Sequence, residues 1–385
     1  MTFAFMRFIA KTLYGFEQIL AKEASDLGAR EISVGNRAVL FSGDTALMYR
    51  INYMSRLALS VLLRIAEFRI RSADDLYQKG LKIDWDNYLD DKDTISVVPV
   101  VQSNHFNHTG FAALKLKDSI ADYLRNRTGK RPSVDSAEPS VLVNLHISNE
   151  MVTVSLDSTV IPLFKRGYRL EQSAAPLNEV LAAGLLRISG WDAKCDLADP
   201  MCGSGTIPIE AAMMACNIPP GKVRQSFGFQ KWKCYDSDLF NNIRNECDAL
   251  IREPSVRISG SDISEQAVDQ AITNVRKAGL PDIVSLEVKD FKDLRPGGNG
   301  GFLLFNPPYG ERLSTDETNS LYNMIGSSLK HNFPGNTAWI ISSNRESLKH
   351  IGLKPKEKHI LYNGALECLF LKYELYPGSR KSSNT

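Results

Sequence analysis

The sequence predicts an α/β protein whose larger part is a doubly wound parallel sheet, preceded by smaller α+β modules. From about Pro176 onward, short apolar strands, glycine turns and helices alternate regularly, which is typical of a parallel sheet covered by helices. Before that point, helix-like and strand-like stretches follow one another without this regular order. At 385 residues the chain is long enough for two or three domains, each with its own core.

Composition narrows the class of protein. An apolar fraction of 43% with 23% charged residues is ordinary for a globular protein and disfavours disorder, collagen and coiled-coil arrays. The 46 Lys and Arg nearly balance the 44 Asp and Glu, so the net charge of +2 excludes a polycation that coats nucleic acid by bulk charge. An acidic partner would be bound by local patches.

Targeting signals and cysteine spacing favour the cytoplasm. Arg7 interrupts the apolar N-terminus, and no uninterrupted apolar run approaches the length of a membrane span. The 6 cysteines include no Cys-x-x-Cys pair, which argues against a zinc ribbon and against a secreted disulfide scaffold. We therefore expect a cytoplasmic protein with reduced thiols and no metal.

The elements of the first modules are predicted from apolar periodicity and turn residues. Two strands joined by Ser148-Asn149-Glu150 form a hairpin in this prediction. The predicted helices are 16–27, 75–80 and 112–124, and the predicted strands are 38–41, 95–101, 141–147 and 151–156.

The elements of the larger part follow the strand, turn and helix rhythm. Ser264 is predicted to cap a helix that ends at Gly279. The predicted strands are 195–198, 256–260, 284–288, 302–305 and 338–342, and the other predicted helices are 207–216 and 321–329.

A glycine turn follows the first of these strands. Asp199-Pro200-Met201-Cys202-Gly203-Ser204-Gly205-Thr206 lies between a strand and a helix, where open α/β sheets bind ligands. Pro208 replaces the third glycine of the dinucleotide fingerprint, and no Gly-Lys-Ser/Thr follows, which excludes a P-loop. An acid followed by Gly-x-Gly fits S-adenosylmethionine better, because that ligand carries cationic groups and no pyrophosphate. A plain glycine-rich tight turn is the structural alternative.

Two further acids end the next strands. Asp262 ends the second strand, where a carboxylate can bind both hydroxyls of a ribose, and Asp290 ends the third, within reach of an adenine amino group while Phe291 packs on the ring. Asp262 lies 57 positions beyond Gly205 (262 − 205), which predicts an inserted segment. A single Asp in such a position is usually a turn former or a helix cap, but three at successive strand ends favour a ligand.

Asn306-Pro307-Pro308-Tyr309 follows another strand and carries the predicted chemistry. The prolines fix the chain and leave the Asn306 side-chain oxygen and the Pro307 carbonyl as rigid acceptors. Paired acceptors suit an exocyclic amino group, whose lone pair becomes nucleophilic when both hydrogens are held out of the ring plane. Tyr309 would stack on the base. A proline-stiffened turn is the alternative, and methyl transfer to a ring carbon would need a cysteine, for which only Cys202 is a candidate in space.

Three basic stretches are candidates for RNA binding. Arg125, Arg127, Lys130 and Arg131 form one, Lys165, Arg166 and Arg169 a second, and the predicted insertion contributes Lys231 and Trp232 beside other cations and rings. Solvated surface is the ordinary alternative for the charges, and core packing is the alternative for the aromatic residues.

These residues resemble the THUMP-domain RNA methyltransferases, in particular the RlmL-type ribosomal RNA guanine-N2 methyltransferases. The resemblance extends over nearly the whole chain and is carried by segments 114–120, 131–135 and 164–169, by the Asp199 to Thr206 turn, and by 306–313. Pro176-Leu177-Asn178-Glu179 is similar to the family's segment that helps hold the methionine end of the cofactor.

The resemblance implies three modules and a set of site residues. The modules are a ferredoxin-like module at 1–60, a THUMP RNA-binding domain at 61–165 and a Rossmann-like class I methyltransferase domain at 170–378, followed by a disordered tail at 379–385. The predicted cofactor-binding residues are Pro176, Asn178, Asp199, Pro200, Cys202, Gly203, Gly205, Thr206, Asp262, Ile263, Asp290, Phe291 and Asn306. The predicted catalytic residues are Asn306, Pro307, Pro308 and Tyr309. The predicted RNA-binding residues are Lys115, Arg125, Arg127, Lys130, Arg131, Lys165, Arg166, Arg169, Lys231 and Trp232.

The predicted activity is transfer of a methyl group from S-adenosylmethionine to the exocyclic N2 of a guanosine in 23S ribosomal RNA, without a metal. A transfer-RNA guanine-N2 methyltransferase with the same modules is the nearest alternative, because the acceptor motif is shared. DNA amino methylation would leave the THUMP-like region unexplained. A non-catalytic RNA-binding assembly factor would not need the Asn306 to Tyr309 motif.

Overall fold

The chain divides into two compact units, each built from several stretches of sequence. The computed structural model describes residues 5–90, 92–106, 108–135, 137–169, 177–295, 300–308 and 314–376. The first unit contains the chain up to Thr12, Leu20–Leu163 and Arg224–Cys247, and the second contains Leu13–Ile19, Phe164–Val223 and the described residues from Asp248 onward. Arg224–Cys247 therefore does not group with the predicted methyltransferase domain. The predicted tail, 379–385, lies outside the described residues.

The first unit contains one eight-stranded sheet in the order β2-β3-β1-β4-β8-β7-β5-β6. Its strands are β1 (Met6–Lys11), β2 (Arg30–Gly35), β3 (Ala38–Gly43), β4 (Ser60–Arg69), β5 (Thr94–Gln102), β6 (Ser133–Val134), β7 (Val141–Ser148) and β8 (Met151–Asp157). The accompanying helices are α1 (Glu17–Asp26), α2 (Thr45–Met54), α3 (Ala73–Gly80) and α4 (Thr109–Thr128), with a 3-10 turn at Trp85–Asn87.

The strand β4 joins the two predicted N-terminal modules into this one sheet. It pairs antiparallel with β1 on one side and with β8 on the other. The predicted hairpin is observed: β7 and β8 pair antiparallel up to Ser148 opposite Met151. The module boundary predicted at residue 60 therefore falls at the first residue of a shared strand.

The inserted segment packs its aromatic residues into the core of the first unit. Phe229 is fully buried, with its ring centroid 4.5 Å from that of Tyr49 on α2, and Phe240 lies 5.4 Å from the same tyrosine. The backbone of Gly228 runs so close to residues 157–160 that a Cβ there would lie 3.0 Å from the Asp157 carbonyl oxygen. Core packing, the alternative for these aromatic residues, is the one observed. Trp232, predicted to stack on RNA, is also buried, at 4% exposed.

The second unit is built on a seven-stranded sheet in the order β11-β10-β9-β12-β13-β15-β14. Its strands are β9 (Leu197–Asp199), β10 (Ile258–Asp262), β11 (Val284–Val288), β12 (Phe302–Phe305), β13 (Thr337–Ser342), β14 (Glu357–Asn363) and β15 (Leu366–Glu374). The helices in this part of the chain are α5 (Glu179–Ile188), α6 (Thr206–Ala215), α7 (Ser237–Asp248), α8 (Glu265–Lys277), α9 (Thr315–Asn332) and α10 (Arg345–Leu348), of which α7 lies mostly in the inserted segment. Further 3-10 turns lie at Gly228–Lys231, Phe291–Asp293 and Lys349–Ile351.

Strand β9 lies in the middle of this sheet and sets the place of the predicted ligand turn. It pairs parallel with β10 and with β12, and β10 pairs parallel with β11. The carboxyl ends of these strands therefore meet at one edge, as the sequence predicts. The predicted parallel sheet also carries an unpredicted antiparallel edge, because β15 pairs antiparallel with both β13 and β14.

Residues 13–19, although near the N-terminus, belong to the second unit. The Phe16 ring is fully buried against Gly184 of α5, where a Cβ would lie 1.9 Å from a ring carbon. Tyr14 meets Tyr362 edge to face, with ring centroids 5.6 Å apart. The second unit thus needs a piece of the predicted ferredoxin-like module to complete its packing.

Candidate active site

Asp199 ends the central strand and is the most deeply buried of the strand-end acids. Its Cα is in register with Gly260 of β10, and the side chain is 2% exposed. Burial raises the pKa of the Asp199 carboxyl well above its ordinary value, and the nearby charge of Asp262 raises it further, against one hydrogen bond from the Met201 N–H. No described cation pairs with it. A buried carboxylate of this kind is a strong site for a cationic ligand group.

The glycine turn after Asp199 is tied to the second strand. The Gly203 N–H donates to Asp262 Oδ2 over 2.9 Å, and the Cys202 N–H donates to the Ser261 carbonyl over 2.9 Å. Both glycines have positive φ, +52° at Gly203 and +81° at Gly205. Positive φ alone would also be expected of a plain tight turn, the structural alternative to a ligand site.

The two glycines differ in what surrounds them. A Cβ on Gly205 would lie 3.1 Å from the Cβ of Ala271 on α8, so this position needs glycine for packing as well as for backbone conformation. A Cβ on Gly203 would have no described atom within 4 Å and would project into open space. Gly203 therefore leaves room for a ligand to approach the backbone, as a ligand-binding turn requires.

Asp262 organises this edge of the sheet. Besides binding Gly203, its carboxylate accepts the Ser264 N–H at Oδ1 over 3.0 Å, at the start of α8. Each carboxylate oxygen has two lone pairs, so capacity remains for ribose hydroxyls. Ile263, the next residue, is 72% exposed and could cover a flat ligand from the solvent side.

Asp290, the third acid, closely follows β11, but the side chain of Phe291 is buried and does not offer a face to a ligand. Asp290 pairs with Lys292 Nζ at 2.9 Å, and this hydrogen bond holds the pKa of the Asp290 carboxyl below its ordinary value. The predicted adenine face, Phe291, is only 2% exposed and packs against Phe305 and Phe333, with centroids 5.5 and 5.7 Å away. Phe291 is thus a core residue, because Phe305 at the end of β12 and Phe333 directly after α9 surround its ring.

The predicted acceptor motif begins at the end of β12. Phe305 is fully buried, Pro307 is buried and Pro308 is exposed, while Tyr309 lies outside the described residues. Asn306 Oδ1 is shielded from solvent and accepts no hydrogen bond from the described residues. An unpaired buried acceptor is costly and rare, so it indicates a missing donor.

Cys202 is poorly suited to be a nucleophile. Its side chain is 7% exposed and packs over Gly260, whose added Cβ would lie 3.1 Å from the sulfur. Burial raises the pKa of the Cys202 thiol, and the charges of Asp199 and Asp262 raise it further. The thiolate is therefore strongly disfavoured, which argues against methyl transfer through a cysteine.

Two residues assigned by resemblance to the cofactor stabilise helix starts. Asn178 accepts the Val180 N–H over 2.9 Å and so caps α5. Thr206, at the start of α6, is 4% exposed and its hydroxyl accepts a hydrogen bond from Arg169 Nη2 over 2.9 Å. Pro200 is buried in the turn, and Pro176 lies outside the described residues.

The basic patch on α4 is neutralised by acids of its own unit. Asp122 pairs with Arg125 at 3.1 Å and with Arg131 at 2.9 Å. Two similar pairs are Arg127 with Asp86 at 2.5 Å and Lys115 with Asp74 at 3.1 Å. All four cations keep exposed surface, and Lys130, Lys165 and Lys231 are exposed as well. An RNA phosphate would have to compete with these carboxylates.

The second basic stretch is mostly interior, contrary to the prediction. Arg166 is 1% exposed and pairs with the fully buried Glu210 at 3.4 Å, and Arg169 is 14% exposed and pairs with Glu179 at 3.0 Å. Neither guanidinium lies on a surface that RNA could reach.

Sequence reasoning missed the buried acids that explain these arginines. Glu210 and Glu179 lie on α6 and α5, and the Tyr168 hydroxyl donates to Glu210 over 3.3 Å. The available signal is a single charge, Glu210, in the otherwise apolar helix Thr206–Ala215. Such a charge in an apolar helix indicates a buried ion pair.

This sheet order, with a buried acid, a glycine turn and a second acid at neighbouring strand ends, defines a class I methyltransferase. Family models match along the chain: an RlmL ferredoxin-like domain at residues 7–62, a THUMP domain at 71–157 and an RMKL-like methyltransferase domain at 166–372. The chain belongs to this RMKL-like methyltransferase family. The predicted family and fold class are confirmed, and so is the prediction of a methyltransferase.

Similar sequences agree with this. The chain is 38% identical over 371 residues to a "Putative RNA methyltransferase" of Synechocystis sp., covering 96% of this chain and 97% of that protein. It is 38% identical over 383 residues, 96% of this chain, to the ribosomal RNA large subunit methyltransferase K/L of Syntrophotalea carbinolica. The chain spans only 54% of that relative, about half its length.

Solved structures agree as well. A "putative methyltransferase complexed with SAH" is 29% identical, has a TM-score of 0.87 and covers 97% of this chain and 99% of its own. TrmN from Thermus thermophilus, at 20% identity, covers 96% of this chain and 99% of its own with a TM-score of 0.69, and shows the fold alone. SAH is what S-adenosylmethionine becomes after losing its methyl group, so the predicted methyl donor agrees with these findings.

Two features are absent from the described part of the chain. Within them, no helix is both long and apolar enough to cross a membrane. No group of three or more His, Cys, Asp or Glu side chains in the described ranges is arranged to hold a metal ion.

Proposed function

We propose that this protein transfers a methyl group from S-adenosylmethionine to the exocyclic N2 of a guanosine in large-subunit ribosomal RNA, in the cytoplasm. The K/L relatives are named for methylation of large-subunit ribosomal RNA, and this chain matches them over nearly all of its own length. The observation that carries the choice of acceptor is the unpaired, buried Asn306 Oδ1 at the end of β12.

Asn306 would orient the amino group that accepts the methyl. The N2 of guanine offers two N–H donors, and the Asn306 Oδ1 and Pro307 carbonyl are acceptors that the proline backbone holds rigidly. Two such hydrogen bonds would hold both hydrogens away from the ring plane and aim the lone pair of N2 at the methyl group. The buried oxygen would gain the donor that it lacks.

The glycine turn and the strand-end acids would hold the methyl donor. S-Adenosylmethionine supplies an electrophilic methyl on a sulfonium. Asp199 would bind a cationic group of this ligand, the open side of Gly203 would admit it close to the backbone, and Asp262 would accept the ribose hydroxyls. These residues fit the ligand because, among the described residues, the site offers a carboxylate without a partner cation and a glycine with free space beside it.

The α4 patch of the first unit would bind RNA by exchange of ion pairs. Lys115, Arg125, Arg127 and Arg131 keep exposed surface while they pair with aspartates. Replacement of a carboxylate by a phosphate costs little at an exposed pair, so binding would depend strongly on salt.

The test is methyl transfer to defined RNA followed by nucleoside mapping. Purified protein is incubated with labelled S-adenosylmethionine and with large-subunit ribosomal RNA, transfer RNA or DNA, and the products are digested and identified by mass spectrometry. We expect N2-methylguanosine in the ribosomal RNA. Label confined to transfer RNA would refute the ribosomal substrate, and N6-methyladenosine would refute the acceptor.

Asn306→Ala tests the catalytic assignment. We expect loss of methyl transfer by at least about 100-fold with little change in SAH binding measured by calorimetry. Asn332→Ala is the matched control, because Asn332 lies in the same unit and donates only to the Lys292 carbonyl among its described contacts. Equal transfer by the Asn306 and Asn332 variants would exclude the amino-orienting role.

A further inference from the structure

Arg169 connects two helix starts beside the glycine turn. Its Nε donates to Glu179 Oε1 over 3.0 Å at the start of α5. Its Nη2 donates to the Thr206 hydroxyl over 2.9 Å at the start of α6, and to the Leu177 carbonyl over 3.1 Å. The guanidinium is therefore fixed in orientation by three acceptors, next to the last residue of the turn that begins at Asp199.

One nitrogen of this fixed guanidinium has no partner among the described residues. Nη1 is shielded from solvent and donates to none of the described residues. An N–H of a charged group that is held away from water without an acceptor is unfavourable, and native structures rarely keep one without a reason. The orphaned donor points to an acceptor other than the described residues, such as a bound ligand.

The charged side chains around Arg169 balance one another, and a helix start supplies the positive potential that favours an anionic acceptor. Glu179 balances its charge, and the buried Glu210 is already paired with Arg166. The N-terminus of α6, a ten-residue helix, adds partial positive charge at Thr206. Pro208 lacks an N–H in the first turn of this helix, so the guanidinium adds a directional donor beside the remaining backbone N–H groups.

At the opposite end of the same turn, Asp199 offers a carboxylate that can bind a cation. Asp199 is a buried carboxylate without a partner among the described cations, and Arg169 is a largely buried guanidinium whose Nη1 donates to none of the described residues. An amino acid has one ammonium and one carboxylate on the same carbon. A ligand with an amino-acid end would therefore satisfy both residues at once, its ammonium near Asp199 and its carboxylate near Arg169.

We infer that Arg169 binds the carboxylate of the methionine end of S-adenosylmethionine through Nη1. The inference rests on the proposed function for the identity of the ligand. It moves Arg169 from the predicted RNA-binding set to the cofactor site, which agrees with its 14% exposure. Arg169 is then a binding residue that also orders the two helix starts around the turn.

The test compares ligands that differ only in the amino-acid end. Calorimetry without RNA measures the affinity of the full protein for SAH, for decarboxylated SAH, which keeps the ammonium, and for 5′-methylthioadenosine, which lacks both groups. For Arg169→Gln we expect SAH binding to weaken at least about tenfold, as for loss of a hydrogen bond between charged groups. Binding of the other two ligands should change less than about threefold.

Matched variants separate binding from architecture. Arg257→Gln removes another ion-paired arginine of the same unit, 75% exposed, and should leave all three affinities unchanged. Arg169→Lys keeps a charge but has all its donors on one nitrogen and cannot reproduce the planar fork that meets Glu179, Thr206 and a carboxylate, so its effect should again fall on SAH alone. Thermal unfolding of each variant without ligand establishes that it is folded.

Other results would refute either the role of Arg169 or the proposed function. If Arg169→Gln and Arg169→Lys weaken all three ligands equally, Arg169 acts only on the architecture of the site, and the inference is wrong. Unchanged SAH binding also refutes it. If the wild-type protein binds none of these ligands, the proposed function fails, whatever the role of Arg169.

Discussion

The two glycines of the turn lead to a paired prediction, because each is needed for a different reason. Alanine at either position must adopt positive φ, which costs roughly 1–2 kcal/mol for a residue with a side chain. For Gly203→Ala this is the whole cost, since the new methyl group would lie in open space. We therefore expect the free energy of unfolding of Gly203→Ala to fall by about 1–2 kcal/mol.

Gly205→Ala should cost more, because the new methyl group has no room. It would lie 3.1 Å from the Ala271 Cβ and 3.4 Å from the Ala271 Cα, and neither atom can rotate away. Such overpacking typically adds about 1–3 kcal/mol. The sum predicts a loss of roughly 2–5 kcal/mol for Gly205→Ala.

The affinity for SAH tests directly whether the ligand lies beside Gly203. The free space beside this glycine is where we place the methyl donor, so Gly203→Ala should weaken SAH binding at least about tenfold, by steric exclusion worth about 1.4 kcal/mol or more. Urea unfolding and calorimetry on the two variants measure both quantities. A Gly203→Ala protein that binds SAH as tightly as the wild type would refute the placement of the ligand, and equal stability of the two variants would refute the packing argument.

Three further predictions concern other parts of the molecule. Burial raises the folded-state pKa of Asp199 above the unfolded value, so the stability linked to its proton is complete below the unfolded pKa and is lost as pH rises through the folded pKa. In thermal unfolding at neutral pH without ligand, Asp199→Asn should therefore be at least as stable as the wild type, while its SAH binding weakens. A less stable variant with unchanged SAH binding would contradict this. Gly184→Ala would place a methyl group 1.9 Å from the Phe16 ring and should lower the melting temperature, with partial recovery when Phe16→Leu is added. Asp122→Asn removes the carboxylate that pairs with Arg125 and Arg131, so RNA binding should tighten and depend more steeply on salt concentration. If the variant and the wild type have the same salt slope, this patch is ordinary surface.

The sequence was most informative where chemistry is local. Asp199, Gly203 and Gly205 are adjacent in the chain, and the parallel order of β9 and β10 brings Asp262 to them, so strand ends and residue types were sufficient to predict the arrangement. The strand Phe302–Phe305 has the predicted bounds because it is a continuous apolar run between a glycine and a proline turn.

It was least informative where the deciding partner is distant. Arg166 reads as a surface cation because Glu210, its buried partner, lies 44 residues away. Phe229 reads equally well as a stacking ring or as core, and only its packing on Tyr49 decides between them. Strand β4 was not predicted, because the consecutive apolar residues 61–63 break the alternation of apolar and polar residues. Its register shift between Arg64 and Ala66 is visible only in its pairing with β8.

The order in which the chain visits its two units limits how it can be divided. The path changes unit after Thr12, Ile19, Leu163, Val223 and Cys247, so neither unit is one continuous stretch of sequence. A fragment that begins at Phe164 would lack Phe16 and would carry Phe229 and Phe240 without Tyr49, exposing rings that are normally buried. Such a fragment should aggregate rather than act as an isolated catalytic domain. A single cut therefore cannot separate the first unit, which contains the THUMP domain, from the methyltransferase unit, and neither unit could be exchanged between relatives as an independent cassette.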